Sequence, residues 1–210
     1  RANPADALVC QDESYKTLAD LPEGAIVGTS SLRRGLQLLR LRPDIILKPI
    51  RGNIDTRLKK LAEDDYDGLI LATCGLLRLE LKNRITQIID TDIMLPAIGQ
   101  GVVVVERLAN RDDLQDLLQS LHCSQTHACI TAERAISERL QTSCKTPVAG
   151  FAEIDSNNQL TVKGLVLSEN TTQEIFADAK GSIKSAEQLG INVADALIAD
   201  GALELLGEEH

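Results

Sequence analysis

The first half of the chain alternates short apolar, β-branched runs with amphipathic helical patterns. The runs AIVGTS (25–30), DIILKPI (44–50) and GLILATC (68–74) are typical of buried strands. The segments SLRRGLQLLRL (31–41) and IDTRLKKLAEDD (54–65) place apolar residues at helical spacing. This order predicts βαβ units and a parallel sheet up to about residue 95. Because the carboxyl ends of parallel strands open onto one crevice, the turns after these strands should converge on a ligand site.

The second half follows a different pattern. Two further helices are predicted over 107–123 and 125–141. Beyond them, the runs VAGFAEI, QLTVKGLVLS and TQEIFADAKG, with a turn at Asp155–Asn158, predict an antiparallel meander, and the last 22 residues before Gly207 predict a helical tail. The pattern therefore indicates an α/β region followed by a small α+β domain.

A glycine-flanked segment, LPAIGQG, separates the two patterns. Gly99 and Gly101 lie on either side of Gln100. Glycine tolerates backbone dihedrals that other residues do not, so the segment is compatible with a flexible joint. An ordinary turn before a strand explains the same residues.

Composition narrows the class of protein. The 210 residues, 43% of them hydrophobic, suffice for more than one core, and no run approaches the roughly 20 apolar residues of a membrane span. Five scattered cysteines argue against a disulfide framework, so we expect reduced thiols and a cytoplasmic protein. With four aromatic residues there is little to stack nucleic acid bases, and we expect no nucleic acid partner.

Positive charge is concentrated in one window of an acidic chain. Residues 33–57 contain seven basic and two acidic side chains, a net charge of +5. Since the whole chain has a net charge of −9, the other residues together carry −14. Such asymmetry indicates a local site for a small anion. The absence of a Walker loop or a dinucleotide glycine pattern disfavours a nucleotide.

Arginines follow each of three predicted strands. Arg33 and Arg34 come directly after Thr29-Ser30-Ser31, Arg51 and Arg57 flank the next turn, and Arg78 follows the third strand. Cations are normally unfavourable at a helix N-terminus, but a bound carboxylate or phosphate removes the conflict. The alternative is a set of solvated arginines or surface ion pairs.

Two cysteine-containing segments remain ambiguous from the residues alone. In HCSQTHAC, His122, Cys123, His127 and Cys129 include an i, i+4 pair, yet packing and capping explain them better than a metal site does. Cys144 lies in a loop and is followed by a lysine that favours the thiolate, although the residues alone favour an unreactive, partly buried loop cysteine.

Taken together, several stretches resemble one family, hydroxymethylbilane synthase, also called porphobilinogen deaminase. They are VGTSSLRR, RGNIDTRLKKL, YDGLILATCGLLRL, LPAIGQG, TAERA and CKTPVAGFAE, and they span nearly the whole chain. The resemblance implies a transferase of tetrapyrrole (heme) biosynthesis. Such an enzyme condenses four porphobilinogen molecules, with loss of ammonia, on a dipyrromethane cofactor attached by a thioether.

The resemblance also implies roles for individual residues. Cys144 would carry the cofactor, Ser31, Arg33, Arg34 and Arg57 would hold its carboxylates, and Thr29, Ser30 and Gln100 would support them. Arg51 and Arg78 would receive the substrate. The family usually has Gly-Gly before its cysteine, where this chain has Thr142-Ser143. These glycines allow loop dihedrals that Thr and Ser resist, which puts loop flexibility in question.

The implied architecture is a periplasmic-binding-protein-like α/β domain over 5–98, a remnant of a second such domain over 99–122, and the C-terminal α+β domain over 123–210. The family's catalytic aspartate, in a Lys-Asp motif, is not found in the chain. We therefore expect these 210 residues alone to be inactive, unless a separate chain supplies the N-terminal segment. A non-catalytic carboxylate-binding module of the periplasmic-binding-protein type is the alternative function.

Overall fold

The computed structural model describes residues 1–143, 146–169 and 173–207. In these ranges two sheets, each with its own helices, follow one another along the chain. None of the helices in the described ranges is long and apolar enough to cross a bilayer.

The first sheet has five strands in the order β3-β2-β4-β1-β5. The strands are β1 (Asp6–Cys10), β2 (Ile26–Gly28), β3 (Ile46–Lys48), β4 (Gly68–Ala72) and β5 (Gln87–Ile88). Strands β2, β3 and β4 are parallel, as the sequence predicts, whereas β1 pairs antiparallel with both β4 and β5. The sheet is therefore mixed, and β1 is an interior strand that the sequence pattern did not reveal.

Both faces of the first sheet are covered. Along β1 and β4 successive apolar residues alternate between two cores, as the two-residue period of a strand requires. Leu8 and Ile70 face one core together with α1 (Leu32–Leu41). On the opposite face, Val9 and Leu71 pack with α2 (Ile54–Glu63) and α3 (Thr73–Arg78), whose buried leucines are Leu58, Leu61 and Leu76.

The region after the first sheet has less regular structure than predicted. Residues 102–108 form neither helix nor strand, and the helix expected over 107–123 is reduced to a 3₁₀ turn and the short α4 (Gln115–Gln119). Val103, Leu108 and Leu117 are each more than two thirds exposed. Without a core to pack against, apolar spacing alone does not sustain a helix.

The second sheet is the predicted antiparallel meander, with β6 (Val148–Ile154), β7 (Gln159–Leu167) and β8 (Glu174–Ser182) in that order. One face is covered by α5 (Ser124–Arg139) and α6 (Ala186–Ala199), and α7 (Ala202–Leu205) ends the described part.

Close packing of two helices holds this domain together, and a small apolar cluster joins it to the first sheet. Helices α5 and α6 approach so closely that a side chain at Gly190 would lie 2.1 Å from the carbonyl oxygen of Ala132. Leu36 of α1 and Leu95 pack against Ala149, Phe151 and Leu165 on the opposite face of the meander. The carboxyl end of β2, which leads into α1, is thereby brought close to the start of the meander.

Candidate anion-binding site

The strand-to-helix turn at 29–31 is internally hydrogen bonded. The Ser31 hydroxyl caps α1 by accepting from the backbone N–H of Arg34, and the Thr29 hydroxyl accepts from the N–H of Ser31 at 3.2 Å. The Ser30 hydroxyl donates to the carbonyl oxygen of Ile50 at 2.8 Å and so ties the end of β2 to the end of β3. These three residues, predicted as ligand contacts, shape the turn that presents the arginines.

Arg33 is buried beside a carboxylate that sequence reasoning missed. The residue is 4% exposed, and its guanidinium donates to Asp6 at 2.8 Å and to the carbonyl oxygen of Leu95 at 2.7 Å. Burial lowers the pKa of Arg33, and the neighbouring Asp6 opposes that shift. The local signal for Asp6 is a charged residue at the start of the apolar run DALVC.

Arg34 shares the same carboxylate. Its Nε donates to Asp6 at 2.9 Å, and its Nη2 donates to the side-chain oxygen of Gln100 at 3.1 Å. Burial would raise the pKa of Asp6, but the charges of Arg33 and Arg34 outweigh this and hold the pKa below its ordinary value. Asp6 is thus ionised and neutralises part of the arginine pair.

The segment 97–101 forms a tight turn, and residues 102–108 directly after it do not form a strand. Gly99 and Gly101 have φ of 75° and 88°, in the left-handed region that favours glycine, and a side chain at Gly101 would lie 2.6 Å from the carbonyl oxygen of Ala2. The amide of Gln100 donates to the oxygen of Pro4 at 2.6 Å and to Asp6 at 2.9 Å.

A second buried carboxylate, Glu133 of α5, holds the other side of this turn. It accepts from the N–H of Gly99 at 2.7 Å, from the N–H of Ala152 at 2.8 Å and from the Arg1 guanidinium at 2.5 Å. Burial raises the pKa of Glu133, opposed by these hydrogen bonds. The turn is therefore bonded to both halves of the chain.

A cavity of about 450 Å³ lies between this turn, the start of α1 and the loop after α5. Its polar lining residues are Ser31, Arg33, Arg34, Gln100, Ser137, Thr142, Ser143 and Thr146. The Ser137 and Thr142 hydroxyl oxygens are 2.9 Å apart, and the Thr146 hydroxyl accepts from the N–H of Ser143 at 2.8 Å. The predicted attachment residue Cys144 lies outside the described residues.

The remaining arginines are distributed more widely than the sequence suggests. Arg57 donates to the oxygen of Gly52 at 2.7 Å, and its pKa is lowered by burial and by the nearby charge of Arg34. The exposed Arg51 guanidinium has no hydrogen bond or ion pair to any residue in the described ranges. Arg78, at the end of α3, donates to the oxygen of Gly101 at 3.1 Å and lines a separate groove.

That groove, of about 570 Å³, is mainly apolar and includes Val102–Val105, Leu118 and Leu121. His122, Cys123 and His127 also line it, but the described ranges hold no group of three or more His, Cys, Asp or Glu side chains that could bind a metal ion. The structure thus joins Arg33, Arg34 and Gln100 at one cavity and places Arg78 on the opposite side of the glycine turn.

Comparison with known proteins matches both halves of the chain to one family. Residues 1–116 match the model described as "Porphobilinogen deaminase, dipyromethane cofactor binding domain", and residues 127–199 match its C-terminal domain. Porphobilinogen deaminase of Neisseria meningitidis serogroup A is 45% identical over 207 residues, which is 99% of this chain and 66% of the relative. Porphobilinogen deaminase of Francisella tularensis subsp. novicida is 44% identical over 206 residues, or 98% of this chain and 67% of the relative. The chain spans about two thirds of the length of these relatives, and it belongs to the porphobilinogen deaminase family.

Proposed function

We propose that this chain forms the cofactor-holding part of a transferase that polymerises four porphobilinogen units into hydroxymethylbilane. One observation carries the proposal. Ser143 and Thr146, the described residues on either side of Cys144, line the same cavity as Arg33 and Arg34. A thiol in this loop and a carboxylate bound by the arginines would therefore belong to one ligand.

The residues around the cavity fit a ligand that carries several carboxylates. Arg34 uses Nε and Nη2 for internal partners, and no internal hydrogen bond of Nη1 is found in the described ranges. Together with the Ser31 hydroxyl, it offers donors of the type that carboxylates prefer. A dipyrromethane on Cys144 supplies the pyrrole to which further units are added.

We assign the holding of its carboxylates to Ser31, Arg34 and Arg57, and to Arg33 through its charge, since both terminal nitrogens of Arg33 have internal partners. Thr29, Ser30 and Gln100 are assigned a supporting role. Since the hydroxyls of Thr29 and Ser30 have internal partners, their support is to fix the turn. The same holds for the Gln100 amide, whose oxygen and nitrogen both have partners within the chain.

Substrate carboxylates are assigned to Arg51 and Arg78. Arg51 is exposed with no internal partner in the described ranges, and Arg78 keeps most of its donors open beside the apolar groove. Arg34 at the cavity and Arg78 at the groove would then keep the incoming porphobilinogen apart from the cofactor and the pyrrole units already attached to it.

We further propose that the 210 residues by themselves do not convert porphobilinogen, because the general acid/base aspartate implied by the resemblance is not among them. A separate chain that carries this aspartate would dock on the apolar surface of Val103–Val105, Leu117 and Leu121, whose side chains are 55–69% exposed. Exposed apolar surface of this extent marks interaction sites.

We also propose domain boundaries at 5–98, 99–122 and 123–210. They are supported by the two separate sheets and by the packing of α5 in the C-terminal core.

The test is intact-mass and peptide mass spectrometry of the chain after incubation with porphobilinogen and with hydroxymethylbilane. With hydroxymethylbilane we expect the peptide that contains Cys144 to gain the mass of one hydroxymethylbilane less one water, because the thiolate bonds to the hydroxymethyl carbon as water leaves, and we expect no gain in Cys144→Ser. Cys123→Ser, which removes an exposed thiol away from the cavity, serves as the matched control and should still gain the mass. An unmodified Cys144 peptide under all conditions, as a simple carboxylate-binding module would give, contradicts the proposal.

The proposed inactivity needs its own assay. We expect the chain to release no ammonia from porphobilinogen above the uncatalysed rate. Full turnover by the 210 residues alone would disprove this part, while leaving the assignment of the cavity intact.

A further inference from the structure

The Asp6 carboxylate is buried beside Arg33 and Arg34, the arginines of the candidate anion site. A protein carboxylate at this place competes with an anionic ligand for the same guanidinium donors, so its presence needs a physical explanation. The Asp6 side chain has no exposed surface and contacts three side chains, those of Arg33, Arg34 and Gln100. It reaches them from β1, an interior strand of the first sheet that lies between β4 and β5. A rigid strand is a suitable support for a group that positions others.

Arg33 is fully engaged with the protein interior. Its two terminal nitrogens donate to the Leu95 oxygen and to Asp6 Oδ2, and it is almost completely buried. Asp6 therefore neutralises the charge of Arg33 in a place where water cannot. Arg34, whose side chain is 13% exposed, is the more accessible cation of the pair.

Arg34 is held along one edge. Nε bonds to Asp6 Oδ1 and Nη2 bonds to Gln100 Oε1, while the Gln100 amide is itself fixed by Asp6 Oδ1 and the Pro4 oxygen. These bonds form a closed set in which Asp6 contacts both other members. With one edge fixed, the remaining Nη1 edge has a defined direction at the cavity, whose lining includes Arg34.

We propose that Asp6 is a positioning residue that aims the open edge of Arg34 at a carboxylate in the cavity. The inference rests on the proposed function for the class of ligand, and adds to it the residue that organises the site. Asp6 does not touch the ligand. It acts through Arg34 and Gln100.

A simpler charge argument makes the opposite prediction. Removing the negative charge of Asp6 raises the positive charge of the site by one, and long-range attraction alone would then strengthen anion binding. We expect the orientation of Arg34 to affect the affinity more than the net charge of the site does. A guanidinium recognises a carboxylate through hydrogen bonds of fixed direction, and an Arg34 without its partners samples many rotamers. The sign of the change therefore decides between the two views.

The experiment measures the affinity of the chain for tricarballylate, a small tricarboxylate without a pyrrole ring, by calorimetry. Asp6→Asn should weaken binding about tenfold or more, as expected for loss of a charge-assisted pair. Asp44→Asn is the matched control, because Asp44 also pairs with an arginine, Arg42, but at the opposite end of α1. It should leave the affinity within about twofold.

A second pair of variants covers the case in which Asp6→Asn does not fold. Arg33→Met and the double variant with Asp6→Asn both lack Arg33, so their comparison isolates the effect of Asp6 on Arg34. The double variant should bind tricarballylate about tenfold more weakly than Arg33→Met. An NMR signal from the Arg34 Nε–H should be present in the wild type and lost in the variants without Asp6, while backbone amide signals outside the site remain.

Each outcome separates the claims. Weaker binding with loss of the Arg34 signal supports the role of Asp6, even if the mass experiment finds no adduct on Cys144 and the proposed function fails. Equal or tighter binding by the Asp6 variants overturns the positioning role and leaves the proposed function standing. No tricarballylate binding by the wild type overturns this inference.

Discussion

Glu133 of the C-terminal helix α5 accepts a hydrogen bond from the backbone N–H of Gly99 at 2.7 Å. The residue after Gly99 is Gln100, whose amide bonds to Asp6 of the first sheet at 2.9 Å. Two buried carboxylates from different halves of the chain therefore hold consecutive residues of one turn. This arrangement relates the stability of the protein to the geometry of its candidate site.

The first prediction concerns Glu133. Glu133→Ala leaves the N–H groups of Gly99 and Ala152 and the Arg1 guanidinium without their acceptor, and it should reduce the free energy of unfolding by about 3–5 kcal/mol. Glu133→Gln retains one acceptor oxygen and should cost about 1–3 kcal/mol. Urea denaturation measures both. Glu138→Ala, on the exposed face of the same helix, should stay within about 0.5 kcal/mol of the wild type. Equal losses for Glu133→Ala and Glu138→Ala would contradict the role of Glu133.

The second prediction concerns pH. The folded pKa of Asp6 is lowered from 3.8, so its ion pairs contribute stability that is fully present above pH 3.8 and lost as the pH falls toward the folded pKa. The difference in free energy of unfolding between the wild type and Asp6→Asn should therefore be constant near neutrality and shrink below that value. Urea denaturation at a series of pH values tests this. A difference that does not change with pH would show that Asp6 is not charged in the folded protein.

The third prediction concerns the cysteines. Burial raises the pKa of Cys10 to about 11, whereas the Thr126 hydroxyl, 3.3 Å from the sulfur, lowers the pKa of the exposed Cys123. Because the thiolate is the reactive form, iodoacetamide at neutral pH should label Cys123 well before Cys10. Peptide mass spectrometry gives the rates. Thr126→Val should slow the labelling of Cys123 specifically, and faster labelling of Cys10 than of Cys123 would be inconsistent with the structure.

The fourth prediction concerns the loop before Cys144. Thr142→Val removes the hydroxyl that lies 2.9 Å from Ser137 but keeps the branched shape, and it should cost about 1 kcal/mol of stability. Hydrogen exchange of the amides of Ser143 and Thr146 should become faster. Thr142→Gly, which restores the residue usual in the family, should accelerate exchange further because it also adds backbone freedom. Ser120→Ala, which removes a hydroxyl bond within the exposed region near α4, should leave exchange in this loop unchanged.

Local sequence patterns predicted the elements around the site but not their partners. The passage from β2 through the turn at 29–31 into α1 was predicted correctly, because the strand, the cap and the helical spacing are all local signals. The meander was likewise predicted and confirmed. Strand β1 was missed, because a five-residue run before a polar loop contains too little periodicity to stand out.

The contacts that organise the cavity could not be predicted in this way. Asp6, Arg33 and Gln100 are separated by 27 and 67 positions in sequence and meet only through sheet order and the packing of the two halves. The prediction over 107–123 was wrong for a related reason. Its leucines have helical spacing, yet Leu117 and Leu121 are both 68% exposed, so no tertiary packing stabilises a longer helix.

The glycine turn between the sheets has one further consequence. Gly99 is bonded to α5, Gln100 to β1 and α1, and Gly101 to Arg78 and the N–H of Ala2. The cited bonds of Gln100 and Gly101 run to the first half of the chain and that of Gly99 to the C-terminal half, so a swivel of one half against the other must either break the Gly99–Glu133 bond or detach the turn from β1, α1 and Arg78. The sequence was compatible with a flexible joint or with an ordinary turn, and the structure has a turn whose polar bonds oppose movement between the two halves of the chain.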